Sequence, residues 1–318
     1  MTKILITGGS GFIGTNLILY LQRFDDVTLL NVDIEKPSIR AQTHIWKNID
    51  IRNKDNLENV VVQFAPDIII HLAARTDLEG SKLEDYNSNT LGVSNLVDVI
   101  KRTKSVRRAI FASSMLVCKP GYIPRHPDDY TPATIYGESK VLSEKIIKNA
   151  HLTCNWAIVR PTSIWGPWFK APYRNFFDMV ISKKYFHIGN KSATKTYGYI
   201  GNTIYQLEKL IYAPAELIQG QIFYLGDYEP YNIEGWADEI ALETSSKVNK
   251  MPFGLVKVLA MIGDSLKVLK INFPMSSFRL KNMTTDNVVD LSNMQAIAPD
   301  LPFTRIDGIK ETLKWLRR

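Results

Sequence analysis

Thr7-Gly8-Gly9-Ser10-Gly11-Phe12-Ile13-Gly14 follows the apolar run Lys3-Ile4-Leu5-Ile6 and opens an amphipathic run from Phe12 to Tyr20. Glycines at 8, 11 and 14 permit a sharp strand-to-helix turn, close approach of the backbone to a ligand and tight helix packing. Such a turn aims the free N–H groups of a helix N-terminus at an anion, most often a dinucleotide's pyrophosphate. A second apolar run, Val27-Thr28-Leu29-Leu30-Asn31-Val32, ends in Asp33, nineteen residues past Gly14. A carboxylate at that point accepts hydrogen bonds from both hydroxyls of a ribose and repels a 2′-phosphate, which selects NAD over NADP. The plain alternative is a glycine-rich turn in any α/β protein, with Asp33 capping a loop; spacing and context argue against it.

Short apolar runs alternate with helical patterns through the first half of the chain. Strands are expected at 3–7, 27–33, 44–48, 67–72, 107–113 and 156–160, and helices near 12–24, 53–64, 89–103 and 137–150. This rhythm implies an α/β fold, a doubly wound Rossmann-type parallel sheet with right-handed crossovers. In such a sheet ligands bind beyond the C-terminal strand ends. The glycine turn, Asp33, His71-Leu72-Ala73-Ala74 and Ser113-Ser114 all fall there. The rhythm breaks after Arg160-Pro161, where Trp165-Gly166-Pro167-Trp168 and Pro172-Tyr173 make an irregular aromatic stretch. Residues 1–160 therefore read as the cofactor-binding domain and 161–318 as a smaller C-terminal substrate-binding lobe, with a strand near 221–225 returning to the main sheet. Trp165 reads as core; Trp168, Phe169 and Tyr173 are candidates to stack on a base or sugar.

At 318 residues, with 45% hydrophobic and 22% charged residues, the composition is that of a soluble globular protein. Two cysteines, Cys118 and Cys154, make neither a metal-ligand spacing nor a disulfide framework, which suits a reducing cytoplasm. Lys257, Asp264, Lys267 and Lys270 interrupt the apolar stretch 253–273, so it reads as an amphipathic helix and not a transmembrane segment; a face toward the core of the smaller lobe is favoured over contact with a membrane surface. A net charge of +7 favours anionic ligands. No zinc spacing, helix-turn-helix pattern or aromatic RNA-binding stretch accompanies it, so a phosphorylated small molecule accounts for the charge without nucleic acid.

Tyr136-Gly137-Glu138-Ser139-Lys140 places a phenol and an ammonium four residues apart on one face of a helix. A nearby cation stabilises phenolate and lowers the tyrosine pKa, so that Tyr136 would take a proton from a substrate hydroxyl while hydride leaves the same carbon. The same spacing recurs at Tyr205 and Lys209, read as surface helix. Ser114, twenty-two residues before Tyr136 at the end of the run Arg108-Ala109-Ile110-Phe111-Ala112, distinguishes the first pair. Its hydroxyl can share the hydrogen bond to a substrate oxygen.

Together these residues resemble the extended short-chain dehydrogenase/reductase family, in its NAD-dependent epimerase/dehydratase branch. The resemblance covers nearly the whole chain. It rests on residues 7–14, Asp33, Asp50-Ile51, His71-Leu72-Ala73-Ala74, Asn89 with Gly92, Ser113-Ser114, Tyr136 to Lys140, and Arg160-Pro161 with Gly166-Pro167. It implies a catalytic triad of Ser114, Tyr136 and Lys140. It also implies a cofactor site of Gly8, Gly11, Phe12, Ile13, Gly14, Asp33, Asp50, Ile51, Leu72, Ala73, Ala74 and Asn89. Asp33 would bind the adenosine ribose, Asp50-Ile51 flank adenine, and Lys140 hold the nicotinamide ribose. Helices 89–103 and 137–150 resemble the pair that forms a homodimer interface in the family, with Val93, Val97, Val141 and Leu142 as apolar positions.

Departures from the family pattern narrow the reading. Met115-Leu116 stand where nucleotide-sugar 4,6-dehydratases carry an Asp-Glu pair, and neither transfers a proton. Ser163 replaces a substrate-contacting Asn, and Asn202 an Asp. Lys195 matches the Arg that meets the substrate diphosphate and keeps its charge without the bidentate fork. Arg279 is a second candidate for the diphosphate. The reading favoured is a C4 epimerase of a nucleotide-diphosphate sugar. A net keto-sugar reductase or sterol-like alcohol dehydrogenase is the alternative, and an NAD-binding protein without catalysis the third.

Overall fold

Ile4-Leu5-Ile6 and Ile68-Ile69-Ile70 have no alternating polar residues, as strands covered on both faces require. The computed structural model describes every residue except 172, 269, 270, 272 and 274, together with all helix side chains but those of 267, 268 and 278. Thus Pro172 and part of the stretch read as an amphipathic helix over 253–273 lie outside the described residues. The strands are β1 (Thr2–Thr7), β2 (Val27–Asp33), β3 (Trp46–Asn48), β4 (Ile68–His71), β5 (Arg108–Ala112) and β6 (Asn155–Pro161), then four short ones and a return strand. The short ones are β7 (Ser163–Trp165), β8 (Phe186–Ile188), β9 (Thr194–Lys195) and β10 (Tyr197–Tyr199); the return strand is β11 (Gln221–Leu225). A seven-stranded sheet runs β11-β6-β5-β4-β1-β2-β3, with every pairing parallel. The chain order reverses between β1 and β4, so a crevice opens beyond their C-terminal ends, at Gly8 and His71.

Helices α1 (Phe12–Leu21), α2 (Lys54–Phe64), α3 (Asn87–Arg102) and α4 (Ile135–Lys148) link these strands. After α5 (Tyr173–Ile181) comes α6 (Ile200–Tyr212), which lies against α1. Alternate residues of each strand enter opposite faces. Leu5, Leu30 and Ile69 pack with Leu57, Leu96 and Val99 of α2 and α3, whereas Ile4, Ile6 and Ile70 pack with Leu17, Ile18 and Leu207 of α1 and α6. The second cluster continues without interruption into Trp165, Phe169, Phe177 and Trp236. Trp165 and Phe169 are therefore core, and Trp168 packs its ring against Trp315. The expected strand at 44–48 shortens to 46–48, because Arg40–Ile45 coil into a 3-10 helix and the Trp46 indole donates to Asp33 O (2.9 Å). Val93, Val97 and Val141 are buried within the chain, so the exposed apolar side chains on α3 and α4 are Leu91 and Leu142.

The remaining elements are α7 (Ala215–Ile218), β12 (Tyr231–Asn232), α8 (Ile233–Glu243), β13 (Asn249–Met251), α9 (Phe253–Val268), α10 (Ser277–Met283), α11 (Ser292–Ile297) and α12 (Arg305–Leu316). Among them, α9 and α10 pack together over β8 and β13 around Val256, Ala260, Met275 and Leu280.

One buried ion pair joins several of these pieces. Glu144 of α4 and Arg160 of β6 are fully buried, with Arg160 Nη2 2.7 Å from Glu144 Oε2 and Nε 2.8 Å from Oε1. Ser113 Oγ donates to Oε1 (2.5 Å) and the Tyr130 hydroxyl to Oε2 (2.8 Å). Arg160 also donates to Pro127 O (2.7 Å) and to the Tyr224 hydroxyl (3.1 Å). Removing one partner leaves the other charge buried and uncompensated, which costs far more than the pair contributes net. Glu144→Gln and Arg160→Met should each lower the unfolding free energy by about 3–5 kcal/mol in urea titrations. A loss under about 1 kcal/mol in both would show that water reaches the pair.

Candidate active site

The glycine turn has its shape because two side chains are missing. Gly8 sits at φ +73°, and a Cβ there would collide with the backbone of Leu72 and Ala73. A Cβ on Gly14 would lie 2.5 Å from Gly8 O and from Gly9 Cα. With the 72–73 backbone pressed against the turn, Leu72 N donates to Thr7 O (2.9 Å). No side chain caps α1, whose N-cap is Gly11, whereas α2, α4, α8, α10 and α12 are capped by Asn53, Thr134, Asn232, Ser276 and Thr304. The first N–H groups of α1, at Phe12, Ile13 and Gly14, have no partner inside their own helix. They face the crevice as a ready site for an anion.

Asp33 borders that site. Its Oδ2 accepts from Ser10 N (2.9 Å) and its Oδ1 from Glu35 N (2.9 Å), and burial raises its pKa while these amides oppose the shift. Each oxygen retains a lone pair for a further donor. Asp50 is gripped by Arg52, with Nη2 2.5 Å from Oδ2. Ile51 is buried under Gly92, where any Cβ would strike it, so its side chain is held against α3. Asn89 is also fully buried. Its amide donates to Arg75 O (3.0 Å) and Ser139 Oγ (2.9 Å) and accepts from Arg75 N (2.8 Å). With both amide protons committed, Asn89 acts on a ligand only through the loop it holds, which follows Leu72, Ala73 and Ala74.

Ser114, Tyr136 and Lys140 converge next to this loop. Ser114 lies two residues past the end of β5 and caps the 3-10 helix Met115–Val117, and Thr134 Oγ1 accepts from Gly137 N (3.0 Å) to start α4 where Tyr136 meets that edge. All three side chains are more than nine-tenths buried. Burial pushes the Tyr136 phenol up to about 12, against a hydrogen bond from the Ser114 hydroxyl. The expected lowering by Lys140 is absent: desolvation outweighs the one favourable contact, that of Ser114, and the Tyr173 and Tyr86 rings add to the rise. Burial likewise lowers the Lys140 ammonium to about 8, with Glu144 opposing. Lys140 Nζ donates to Ala112 O (2.9 Å), its one hydrogen bond among the described residues, so two of its three protons are free to find acceptors. His71 lies beneath, bonded through Nδ1 to Thr7 Oγ1 (2.7 Å), with Nε2 unpartnered. Burial and the Lys140 charge push its pKa down to about 3, so the imidazole is neutral.

Of two aromatic residues beside Tyr136, Tyr86 escaped the sequence reading, whereas Tyr173 was expected there as a candidate to stack on a ligand. The Tyr86 ring centroid is 6.0 Å from that of Tyr136, and its hydroxyl donates to Asp77 O (2.8 Å). Tyr173 lies near enough to raise the Tyr136 pKa and donates to Ser163 Oγ (3.1 Å). Tyr86 has no periodic signature in the sequence. Lys195 sits lower in the lobe, donating to Asn282 O (2.6 Å) and Oδ1 (3.0 Å) of α10, the helix that also carries Arg279. The other Tyr–Lys pair is a cation–π contact on α6, with Lys209 Nζ 4.7 Å from the Tyr205 ring.

A sequence model of the NAD dependent epimerase/dehydratase family matches residues 4–224. The chain belongs to that family. It is 24% identical to the N-acetyl-alpha-D-glucosaminyl-diphospho-ditrans,octacis-undecaprenol 4-epimerase of Escherichia coli O157:H7, over 98% of this chain and 95% of that protein. It is 27% identical to a 3-beta-hydroxysteroid dehydrogenase of Mycolicibacterium neoaurum, over 77% of this chain and 71% of that one. The fold is shared with UDP-glucuronic acid 4-epimerase from Bacillus cereus, solved in complex with UDP-glucuronic acid and NAD, at a TM-score of 0.76, 18% identity and 99% coverage of each chain. The family's cofactor is NAD. The residues present fit it: an uncapped helix N-terminus for the pyrophosphate, a carboxylate with spare acceptor capacity, and a buried ammonium with two unengaged protons.

In protein labelled with ¹³C at lysine Cε, two NMR signals should therefore titrate near pH 8, those of Lys140 and of Lys195, whose ammonium burial also lowers to about 8, and one of the two should vanish in Lys140→Met. If every lysine titrates above about 10, the burial account of Lys140 fails.

Proposed function

We propose that the chain is a nucleotide-diphosphate-sugar C4 epimerase, oxidising a sugar hydroxyl and reducing the resulting ketone from the opposite side. The observation that carries this reading is the convergence of Ser114, Tyr136 and Lys140, all buried, at the sheet edge beside the uncapped glycine turn. When bound, NAD supplies a hydride acceptor and donor at its nicotinamide ring. Gly8, Gly11, Phe12, Ile13 and Gly14 would hold the pyrophosphate, Asp33 the adenosine ribose, and Leu72, Ala73 and Ala74 the wall of the crevice. The free protons of Lys140 would go to nicotinamide ribose oxygens, bringing its charge beside Tyr136.

Tyr136 takes the proton of the sugar hydroxyl in the oxidative half and returns it in the reductive half. Ser114 donates to the same oxygen and stabilises the charge that builds on it. Lys195, with Arg279 on the adjoining helix, would meet the substrate diphosphate. The epimerases named above act on sugars that share a diphosphate on the anomeric carbon, one carried by uridine and one by a polyprenol. A diphosphoglycosyl head is accordingly the recognition element proposed. Met115 and Leu116 follow Ser114 in a short 3-10 helix and offer no proton for eliminating water, which argues against 4,6-dehydration. The exposed Leu91 and Leu142 would supply the apolar part of a homodimer contact through α3 and α4.

Tyr136→Phe should reduce turnover by about 10²–10⁴-fold with an unchanged melting temperature, and Ser114→Ala should reduce it by a smaller factor. Unaltered turnover in Tyr136→Phe would remove Tyr136 from the chemistry. Stoichiometry separates the two redox readings. An epimerase interconverts sugar diphosphates without net change in nicotinamide absorbance at 340 nm, whereas a steroid or keto-sugar dehydrogenase changes one cofactor per product.

A further inference from the structure

The positive charge of this chain is concentrated in one segment. Residues 246–281 hold seven Lys and Arg (247, 250, 257, 267, 270, 279, 281) and a single acid, Asp264, so they carry +6 of the total +7. The other 282 residues are almost neutral. The same segment contains α9, one face of which is fixed in the lobe by Val256 and Ala260 packing on Ile188, Met275 and Leu280. The opposite face is left bare: Leu255 is 50% exposed, Val258 52%, Met261 59% and Ile262 45%. Positions 255, 258 and 262 follow the i, i+3, i+7 spacing of a single helical stripe, and Met261 widens it. Lys257 is the only charged residue among the exposed positions of 254–265 and lies at the margin of the stripe, while Lys247, Lys250 and Lys281 are exposed on the elements beside it.

We infer that this face of α9 docks on the surface of an anionic phospholipid bilayer. An apolar stripe flanked by lysines is the arrangement of a helix lying in the plane of the membrane interface, where side chains enter the headgroup–acyl boundary and lysines meet lipid phosphates. The sixteen residues of α9 span about 24 Å, and among the described residues no helix is long and apolar enough to cross a membrane, so the helix lies on the bilayer without spanning it. Charge selects lipid over an apolar protein partner, because the basic excess belongs to the stretch of sequence that carries the bare stripe and to almost no other part of the chain. Through Asn282 the docked unit also holds Lys195, so docking would set the substrate lobe close to the bilayer. The inference is independent of which sugar the enzyme takes.

Sedimentation with sucrose-loaded vesicles tests it. The full chain should pellet with vesicles of phosphatidylcholine and phosphatidylglycerol (about 7:3), bind pure phosphatidylcholine at least tenfold more weakly, and be released by about 0.5 M salt. L255E/V258E/I262E, which alters only exposed positions, should lose at least tenfold in partition with its melting temperature unchanged; K250E/K257E should lose binding to the anionic vesicles at low salt. Wild-type protein that stays in the supernatant with anionic vesicles overturns the inference. So does an L255E/V258E/I262E variant that binds as well as wild type. A wild-type mass by light scattering twice that of the same variant, without vesicle binding, would assign the stripe to self-association.

Discussion

A single buried carboxylate, Glu144, ties the catalytic helix to the rest of the protein. It lies one turn beyond Lys140 on α4 and accepts from Arg160 on β6, Ser113 at the end of β5 and Tyr130 in the loop that follows. Four separate chain segments thereby share one charge centre in a dry interior. If α4 slid or rotated, it would break four charge-assisted bonds and strand Arg160, so the helix has one register. Tyr136 and Lys140 inherit that register, and their distance from Ser114 follows from it. The Tyr–Lys spacing alone could not hold them there, as the equivalent spacing at 205 and 209 demonstrates by yielding only a surface cation–π contact.

The parts of the site that were legible in the sequence are those dictated by backbone geometry. Gly8 and Gly14 are required by close approach of other backbone atoms, Asp33 by the end of a strand, and Ser114 by the end of another. Such requirements leave a fixed residue at a fixed spacing. The return of β11 to the sheet was legible for the same reason, as an apolar run beyond an irregular stretch. What was not legible depends on who neighbours whom across the fold. Asn89 looked like a ligand contact but satisfies Arg75 and Ser139, and Ile51 is absorbed beneath Gly92. Tyr86 reaches Tyr136 from the end of a 3-10 helix whose packing no local pattern announces, and Tyr173, expected only to stack on a ligand, lies near enough to raise the Tyr136 pKa.

Burial also reversed one electrostatic expectation and qualified one about packing. A lysine four residues from a tyrosine suggested a lowered phenol, yet both groups lie in low-dielectric surroundings and each moves toward its neutral form. The stretch from residue 253 was expected to face the core, which holds for one side of α9 only. Its apolar residues exceed what β8, β13 and α10 can cover. The sequence pattern counts apolar positions but not the partners available to them, and the excess becomes visible only when the lobe is assembled.

The two opposed shifts bear on how the proposed acid and base would work. At neutral pH the pair is a phenol and an ammonium, and the first proton to leave, near pH 8, comes from Lys140. The species with one proton fewer exists in two arrangements, phenol with amine or phenolate with ammonium, which differ only in where one proton sits. On the proposed function, ribose oxygens accepting from Lys140 would favour the charged arrangement, because they stabilise the ammonium where burial does not. Tyr136 therefore need not be titrated at about 12 to act as a base. On the proposed function the resting site would keep its phenol protonated and would gain the phenolate only when ligands complete the hydrogen bonds of Lys140, which would couple proton removal to occupancy of the site.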